Sequence, residues 1–468
     1  MKRQHILSGI SAPYRFLVAA CFVMSLFSLL FTAVSLPAHR AYAASGDWPG
    51  YLFDDGHSGF NGSETVINTT TAPKLKLKWI HTAAGSITDE PVEANNLVYW
   101  GSWDNGTEHT TDLNNHKIWT YNTGVTADNN CSPSSLGIGS TSTIATVTIN
   151  GTPTSVDFFG GGTPSMYALN ALTGKLIWRT ALASSLDYFL WSSPEVYNGS
   201  VYEGVASVGD CPLIRGQLVQ MNAATGAIQH IFNTVPSGCI GASIWSSPAI
   251  DASAGTVYVS TGNQGSCSST ENYAIALIEL NASNLSVIGS WQVPASQQIG
   301  DGDFGASPTL FTTSTGTPMV GLENKNGKFY AFKRDAISSG PVWTATIATS
   351  RGSISTASWD GHTLYVAGSG ITINGASCKG SVRALNPDNG ALIWQHCLNS
   401  GPVIAGVVSV PGLVIVEQGN YLMIIGAASG QTLFRYQDTA GLFNGPASVS
   451  NGVLYVGNDD GKLYAFAP

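Results

Sequence analysis

One phrase recurs along the chain. It reads MYALNALTGKLIW at 166–178, VRALNPDNGALIW at 382–394 and FYAFKRDAISSGPVW at 329–343, with looser copies at 218–232, 422–436 and 112–119. Each copy is a short alternating apolar run, a turn containing Gly or Asn, and a second run ending in an aromatic residue. Alternation with period two marks a strand, and two such runs around a tight turn make a β-hairpin. A hairpin repeated over a whole chain restricts the fold to repeat architectures.

A second pattern precedes the hairpins: SSPEVYNGSVYEG at 192–204, SSPAIDASAGTVYVS at 246–260 and GPASVSNGVLYVG at 445–457. It adds two strands, so each unit has four, which is the content of a β-propeller blade. The closing aromatics count the units: Trp119, Trp178, Phe232, Trp291, Trp343, Trp394 and Phe434. The chain then ends at KLYAFAP, one strand short of an eighth unit. LKLKWIHTA at 75–83 supplies that strand, with Trp79 as its aromatic. The expected fold is all-β: an eight-bladed propeller over 75–468, closed by its N-terminal strand and preceded by an extension, 44–74. The recurrent tryptophans are expected to wedge between neighbouring blades.

Composition agrees with turns and ladders rather than helices. Only 10% of residues are charged, 53 are Gly, and no 3.6-residue periodicity persists after residue 45. The net charge of −9 comes without a basic stripe, so nucleic acid is not an expected partner.

The N-terminus reads as an export signal over 1–43. Lys2, Arg3 and Arg15 precede an apolar run, Phe16 to Leu36, followed by the small-residue site Ala41-Tyr42-Ala43. The mature chain is then secreted or extracytoplasmic, with no membrane span. An uncleaved anchor and lipidation at Cys21 are the other readings of this segment. Six cysteines remain after residue 43: Cys131, Cys211, Cys239, Cys267, Cys378 and Cys397. An even count in an exported chain favours disulfides, and Cys378–Cys397, which flank one hairpin, are the one pair assigned. Asn-Gly-Ser/Thr at Asn61, Asn105, Asn150 and Asn198 reads as hairpin turns first and glycan acceptors second.

Propellers bind ligands at blade-end loops around the central channel, so function is sought where the repeat is interrupted. The repeat over 47–468, with its opening DWPGYLFDDGHSGFN at 47–61, resembles that of pyrroloquinoline quinone (PQQ) dependent alcohol dehydrogenases, nearest their polyvinyl-alcohol dehydrogenase branch. Trp245, in IWSSPAIDASAGTVYVSTGN, matches the tryptophan under the quinone ring. Asn263 matches a side-chain ligand of the family's calcium ion, an oxygen donor suited to a hard cation. Asp303, in GDGDFGASP, matches the catalytic carboxylate, which is also a metal ligand. Lys325, in ENKNGKFYAF, matches the basic residue at the quinone oxygens. The resemblance implies hydride transfer from an alcohol, small or polymeric, with Asp303 as base and Lys325 as electrophilic helper. No Cys-x-x-Cys-His occurs, so haem c is not expected and an external acceptor takes the electrons.

Two departures stand against this pattern. The family's glutamate ligand falls at Gly209, leaving the adjacent Asp210 as a shorter substitute. The vicinal disulfide and following arginine are replaced by NNCSPSSLGIG at 129–139. Each match also has a repeat explanation: Trp191 holds the place of Trp245 one blade earlier, Asn458 holds that of Asn263, and Asp301 and Asp303 read as turn formers in a Gly-rich loop. The alternative function is a non-catalytic extracytoplasmic scaffold. A carbohydrate- or surface-binding module is a third reading, resting on the Ser/Thr/Asn-rich exterior.

Overall fold

Each repeated phrase forms the two outer strands of a blade, and the Ser-Pro pattern forms the two inner ones. The structure is a computed structural model that describes residues 46–127, 131, 134–183, 186–267, 270–349 and 352–468. The export segment, its cleavage site and Cys21 lie outside the described residues. Blade 4 shows the order from the channel outward: Ala249–Asp251, Thr256–Ser260, Ala276–Asn281 and Val287–Gln292, every neighbour antiparallel. Eight such sheets occur: blade 1 (92–122), blade 2 (143–181), blade 3 (195–233), blade 4 (249–292), blade 5 (309–346), blade 6 (358–398), blade 7 (408–437) and blade 8 (448–467). Blade 8 takes its outer strand from Lys76–Thr82, paired antiparallel with Lys462–Ala467. The ring therefore closes by the N-terminal strand, as the strand count requires. Blade 3 carries one extra short strand, Tyr188–Phe189, on its second strand.

The aromatic and the turn glycine of the phrase lock one blade to the next. Indole Nε1 of Trp79, Trp119, Trp178, Trp343 and Trp394 donates to a turn carbonyl of the following blade: Leu113, Ala171, Ala223, Pro387 and Ala427, at 2.7–3.1 Å. The glycine of that turn makes room for the ring. A Cβ at Gly174, Gly226, Gly390 or Gly430 would lie 2.4–2.8 Å from the arriving tryptophan. These glycines also have φ between 66° and 70°, which disfavours other residues. In four outer hairpins one extra residue precedes the aromatic: Ile118, Ile177, Ile393 and Leu433 are skipped in the pairing. Such a bulge sharpens the local twist and turns the ring toward the next blade. Where Phe232 replaces tryptophan, the Tyr202 hydroxyl donates to Ala282 O instead, at 2.6 Å.

The Ser-Pro pattern has its own role. The N–H of one blade donates to the hydroxyl of the next: Glu90 to Thr141, Thr141 to Ser193, Ser193 to Ser247, Ser247 to Ser307 and Ser307 to Thr356, all at 2.9–3.0 Å. A girdle of hydroxyls thus ties blades 1 to 6 around the channel.

The extension does more than precede the ring. Residues 48–61 hydrogen-bond to the inner strands of blade after blade. Trp48 bridges to Glu93, and the Pro49, Asp55, Gly56, Ser58 and Gly59 carbonyls accept from Ile144, Ile250, Leu310, Trp359 and Ser409. His57, fully buried, bonds Pro308 O and Glu195. Asn61 is therefore not a hairpin turn: it is buried and donates to Gly46 O and Val449 O. Asn150-Gly151 and Asn198-Gly199 do turn hairpins, with φ near 50° and 80°.

Three disulfides form: Cys378–Cys397, as assigned, and Cys131–Cys211 and Cys239–Cys267, which spacing left open. Among the described residues no helix is long and apolar enough to cross a membrane.

Candidate functional site

Loops at one end of blades 3, 4 and 5 surround a cavity of about 360 Å3. It is lined by Trp191, Trp245, Asp210, Asp301, Asp303 and Lys325. All five residues singled out from sequence gather here. Trp245, Asp210, Asp303 and Lys325 line the cavity, and Asn263 stands beside it, bonded to Asp210.

Asp303 is the centre of the arrangement. It is 3% exposed and lies between two donors: Lys325 Nζ at 2.6 Å from Oδ1 and Trp245 Nε1 at 3.1 Å from Oδ2. The Lys325 backbone N–H also donates to Asp303 O at 3.1 Å, fixing the two loops together. Burial pushes the Asp303 carboxyl above its ordinary value; the Lys325 ammonium opposes this, and Asp301 and Asp210 add to it. Burial alone would lower Lys325, but Asp303 and Asp301 outweigh it and hold the ammonium above its usual range. Lys325 Nζ also stands 5.0 Å over the Trp245 ring, a cation–π distance.

Trp245 is seated by glycine. A Cβ at Gly305 would be 2.3 Å from its Cη2 atom, so Asp303, Phe304 and Gly305 shape the ring's bed. Trp191 holds the same repeat place, yet its Nε1 donates to Ser207 O, not to a carboxylate. Asn263 likewise departs from the repeat. Asn458 uses its Oδ1 to cap the backbone of Asp460 and Lys462, whereas Asn263 Nδ2 donates to Asp210 Oδ2 at 3.0 Å and Asp301 Oδ1 at 2.9 Å. Asp210 is further held by Ser207 Oγ at 2.8 Å.

Asp301 and Trp191 belong to the site although sequence reasoning gives them other roles. The φ of 54° at Asp301 agrees with a turn former, but its carboxylate also meets Lys325 Nζ at 2.9 Å. The available signal is the doubled acid in Gly-Asp-Gly-Asp. Cys131–Cys211 lies next to Asp210 and packs with Leu136, Phe189, Val208 and Trp191. Beneath the two indoles a second space of about 170 Å3 follows the channel past Ser193, Ser247 and Ser307 to Tyr51 of the extension.

In chemistry the carboxylates of Asp210, Asp301 and Asp303 suit a hard cation, and the Asn263 amide carries one more oxygen. Asn263 turns its nitrogen to the carboxylates, and a half-turn of the amide exchanges it for oxygen. Among the described residues no three His, Cys, Asp or Glu side chains group as a metal site. For a flat aromatic anion the two indoles offer stacking faces. The lining carries one ammonium against three carboxylates, so an anionic quinone fits together with a cation rather than alone.

Polyvinylalcohol dehydrogenase from Pseudomonas sp is 22% identical over 432 residues, 80% of this chain and 65% of that protein. The chain spans about half to two thirds of the length of the curated relatives it matches. Among solved structures, a europium-containing methanol dehydrogenase superposes with a TM-score of 0.72 at 14% identity, covering 91% of this chain and 98% of that one. BamB from Moraxella catarrhalis superposes at 0.53 and 16% identity, covering 84% of this chain and 98% of that one. These superpositions establish the propeller fold. A family model described as outer membrane protein assembly factor BamB matches residues 117–368 and 378–468, well over half the chain, and the protein therefore belongs to this family, PQQ_2.

Proposed function

We propose that the protein is an exported quinoprotein dehydrogenase that oxidises an alcohol, with PQQ and a calcium ion as cofactors. One observation carries this reading: a buried carboxylate, Asp303, held between an ammonium and an indole N–H at a cavity walled by two tryptophans. Asp303 accepts the proton of the substrate hydroxyl, and its raised proton affinity suits a base. Lys325 supplies positive charge where negative charge develops, and Trp245 gives the flat floor. Asn263, Asp303 and Asp210 hold the metal. A quinone bound there would supply the hydride acceptor, and a metal held by these residues would supply Lewis acidity. Three disulfides support an oxidising, extracytoplasmic compartment. The substrate is a small or polymeric alcohol, and a separate acceptor removes the electrons.

The second reading, a non-catalytic scaffold, is favoured by the engagement of Lys325, the one cation among the described lining residues, with two carboxylates. Reconstitution separates the two. Purified protein is incubated with PQQ and Ca2+, desalted, scanned for quinone absorbance and assayed with a dye-linked alcohol test. Retained quinone and turnover are expected; no quinone after desalting refutes the dehydrogenase. Asp303→Asn is expected to abolish turnover while the unfolding midpoint holds. Turnover in that variant removes Asp303 from the chemistry.

A further inference from the structure

Asp301 stands on the loop between blades 4 and 5, flanked by Gly300 and Gly302. Its Oδ1 accepts from two side chains on two other loops: Asn263 Nδ2 at 2.9 Å and Lys325 Nζ at 2.9 Å. That one oxygen joins the Asp210–Asn263 half of the site to the Asp303–Lys325 half. The side chain is 59% exposed, so it is not buried for packing. Its φ of 54° lies in the left-handed region, and Asp210 shares this conformation at 60°. Strained backbone of this kind persists where surrounding contacts over-determine it, and it gathers at functional sites.

The ammonium of Lys325 has three N–H donors. Asp301 takes one as a hydrogen bond, and Asp303 holds the same ammonium as an ion pair. Asp301 thus fixes one donor direction and limits where the other two can point. The same oxygen holds the Asn263 amide with its nitrogen toward the carboxylates. Without Asp301, Lys325 is held by Asp303 and the Trp245 face, and Asn263 by Asp210.

We propose that Asp301 is a positioning residue that braces Lys325 for the ligand of this cavity. The proposal deepens the dehydrogenase reading and rests on it for its catalytic consequence. The brace itself is a property of the ligand-free chain, so it has a readout independent of turnover. Asp301→Gly removes the carboxylate and relieves the left-handed strain. Asp301→Asn keeps an acceptor oxygen and tolerates that conformation.

The experiment is reductive methylation of the ligand-free protein with formaldehyde and cyanoborohydride, followed by peptide mass spectrometry, with exposed Lys74, Lys76 and Lys333 as internal references. Lys325 is expected to be modified several-fold faster in Asp301→Gly than in wild type, with most of the protection restored in Asp301→Asn. After reconstitution with PQQ and Ca2+, kcat/KM should fall about tenfold or more in Asp301→Gly, the order expected of a displaced catalytic group. Asp301→Asn should recover most of that loss. Wild-type labelling in Asp301→Gly overturns the brace, and so does Asp301→Asn behaving like Asp301→Gly. If wild type retains no quinone, the dehydrogenase reading fails while the labelling still decides the brace.

Discussion

The lock between tryptophan and turn glycine makes a quantitative prediction. Gly390 and Gly255 have nearly the same backbone, φ 70° and 67°. Their surroundings differ. A Cβ at Gly390 would stand 2.4 Å from Trp343 Cε3, whereas a Cβ at Gly255 meets nothing within 4 Å. Gly390→Ala and Gly255→Ala therefore share the cost of placing alanine in the left-handed region, about 1–2 kcal/mol. They also share the opposing gain from a stiffer unfolded chain, about 0.4–1 kcal/mol. Only Gly390→Ala must displace Trp343, which is 8% exposed and bonded to Pro387 O at 3.1 Å. Overpacking costs about 1–3 kcal/mol. Loss of the indole hydrogen bond adds about 1 kcal/mol. Gly390→Ala should thus be less stable than Gly255→Ala by about 2–4 kcal/mol, summing those two costs. Urea unfolding followed by tryptophan fluorescence and circular dichroism reads the difference as a shift in midpoint at equal slope. Equal midpoints would show that the glycine serves the turn alone, and the interlocking account would be wrong.

Two further outcomes are expected. Asp89, Glu108 and Asp157 lie buried at blades 1 and 2, and burial raises all three carboxyls, Asp89 and Asp157 to about 7. Folded values above unfolded ones mean stability that is full below about pH 4 and lost as pH rises through about 7. The thermal midpoint should therefore fall between pH 5 and pH 8, and less so in Asp157→Asn; a midpoint that rises over this interval contradicts the assignment. Removing Cys131–Cys211 by paired Cys→Ser changes should cost about 4.5 kcal/mol and removing Cys378–Cys397 about 3 kcal/mol, from the lengths of the loops they close. Only the first pair adjoins Asp210, so only that variant should lose quinone retention after desalting. Equal retention in the two would detach that disulfide from the site.

Much of the fold was legible because its contacts are local in sequence and repeated. Blade number, strand order within the outer hairpins and closure by residues 76–82 follow from where aromatics recur. Cys378–Cys397 was legible for the same reason, since both flank one hairpin. The path of residues 48–61 across the inner strands was not, because its partners lie as far along the chain as Ser409 and use mainly backbone groups. Backbone hydrogen bonding leaves little mark on side-chain identity.

At the site, Trp245, Asn263, Asp303 and Lys325 could be picked out by resemblance to the dehydrogenase family, but neither pattern nor spacing could say whether they meet. That depends on loops from three blades arriving at one channel mouth. Asp301 shows the limit most clearly. In the chain it is a polar residue between glycines, indistinguishable from a turn. In the folded ring its one oxygen touches Asn263 and Lys325, 38 and 24 positions away. Sequence alone determined the blades and their count, because a hairpin's periodicity and the aromatic that closes it are properties of a short segment. Only the tertiary structure decided which interruptions of the repeat act together, because charge and hydrogen bonding work over a few ångströms and adjacency at that scale is set by ring closure.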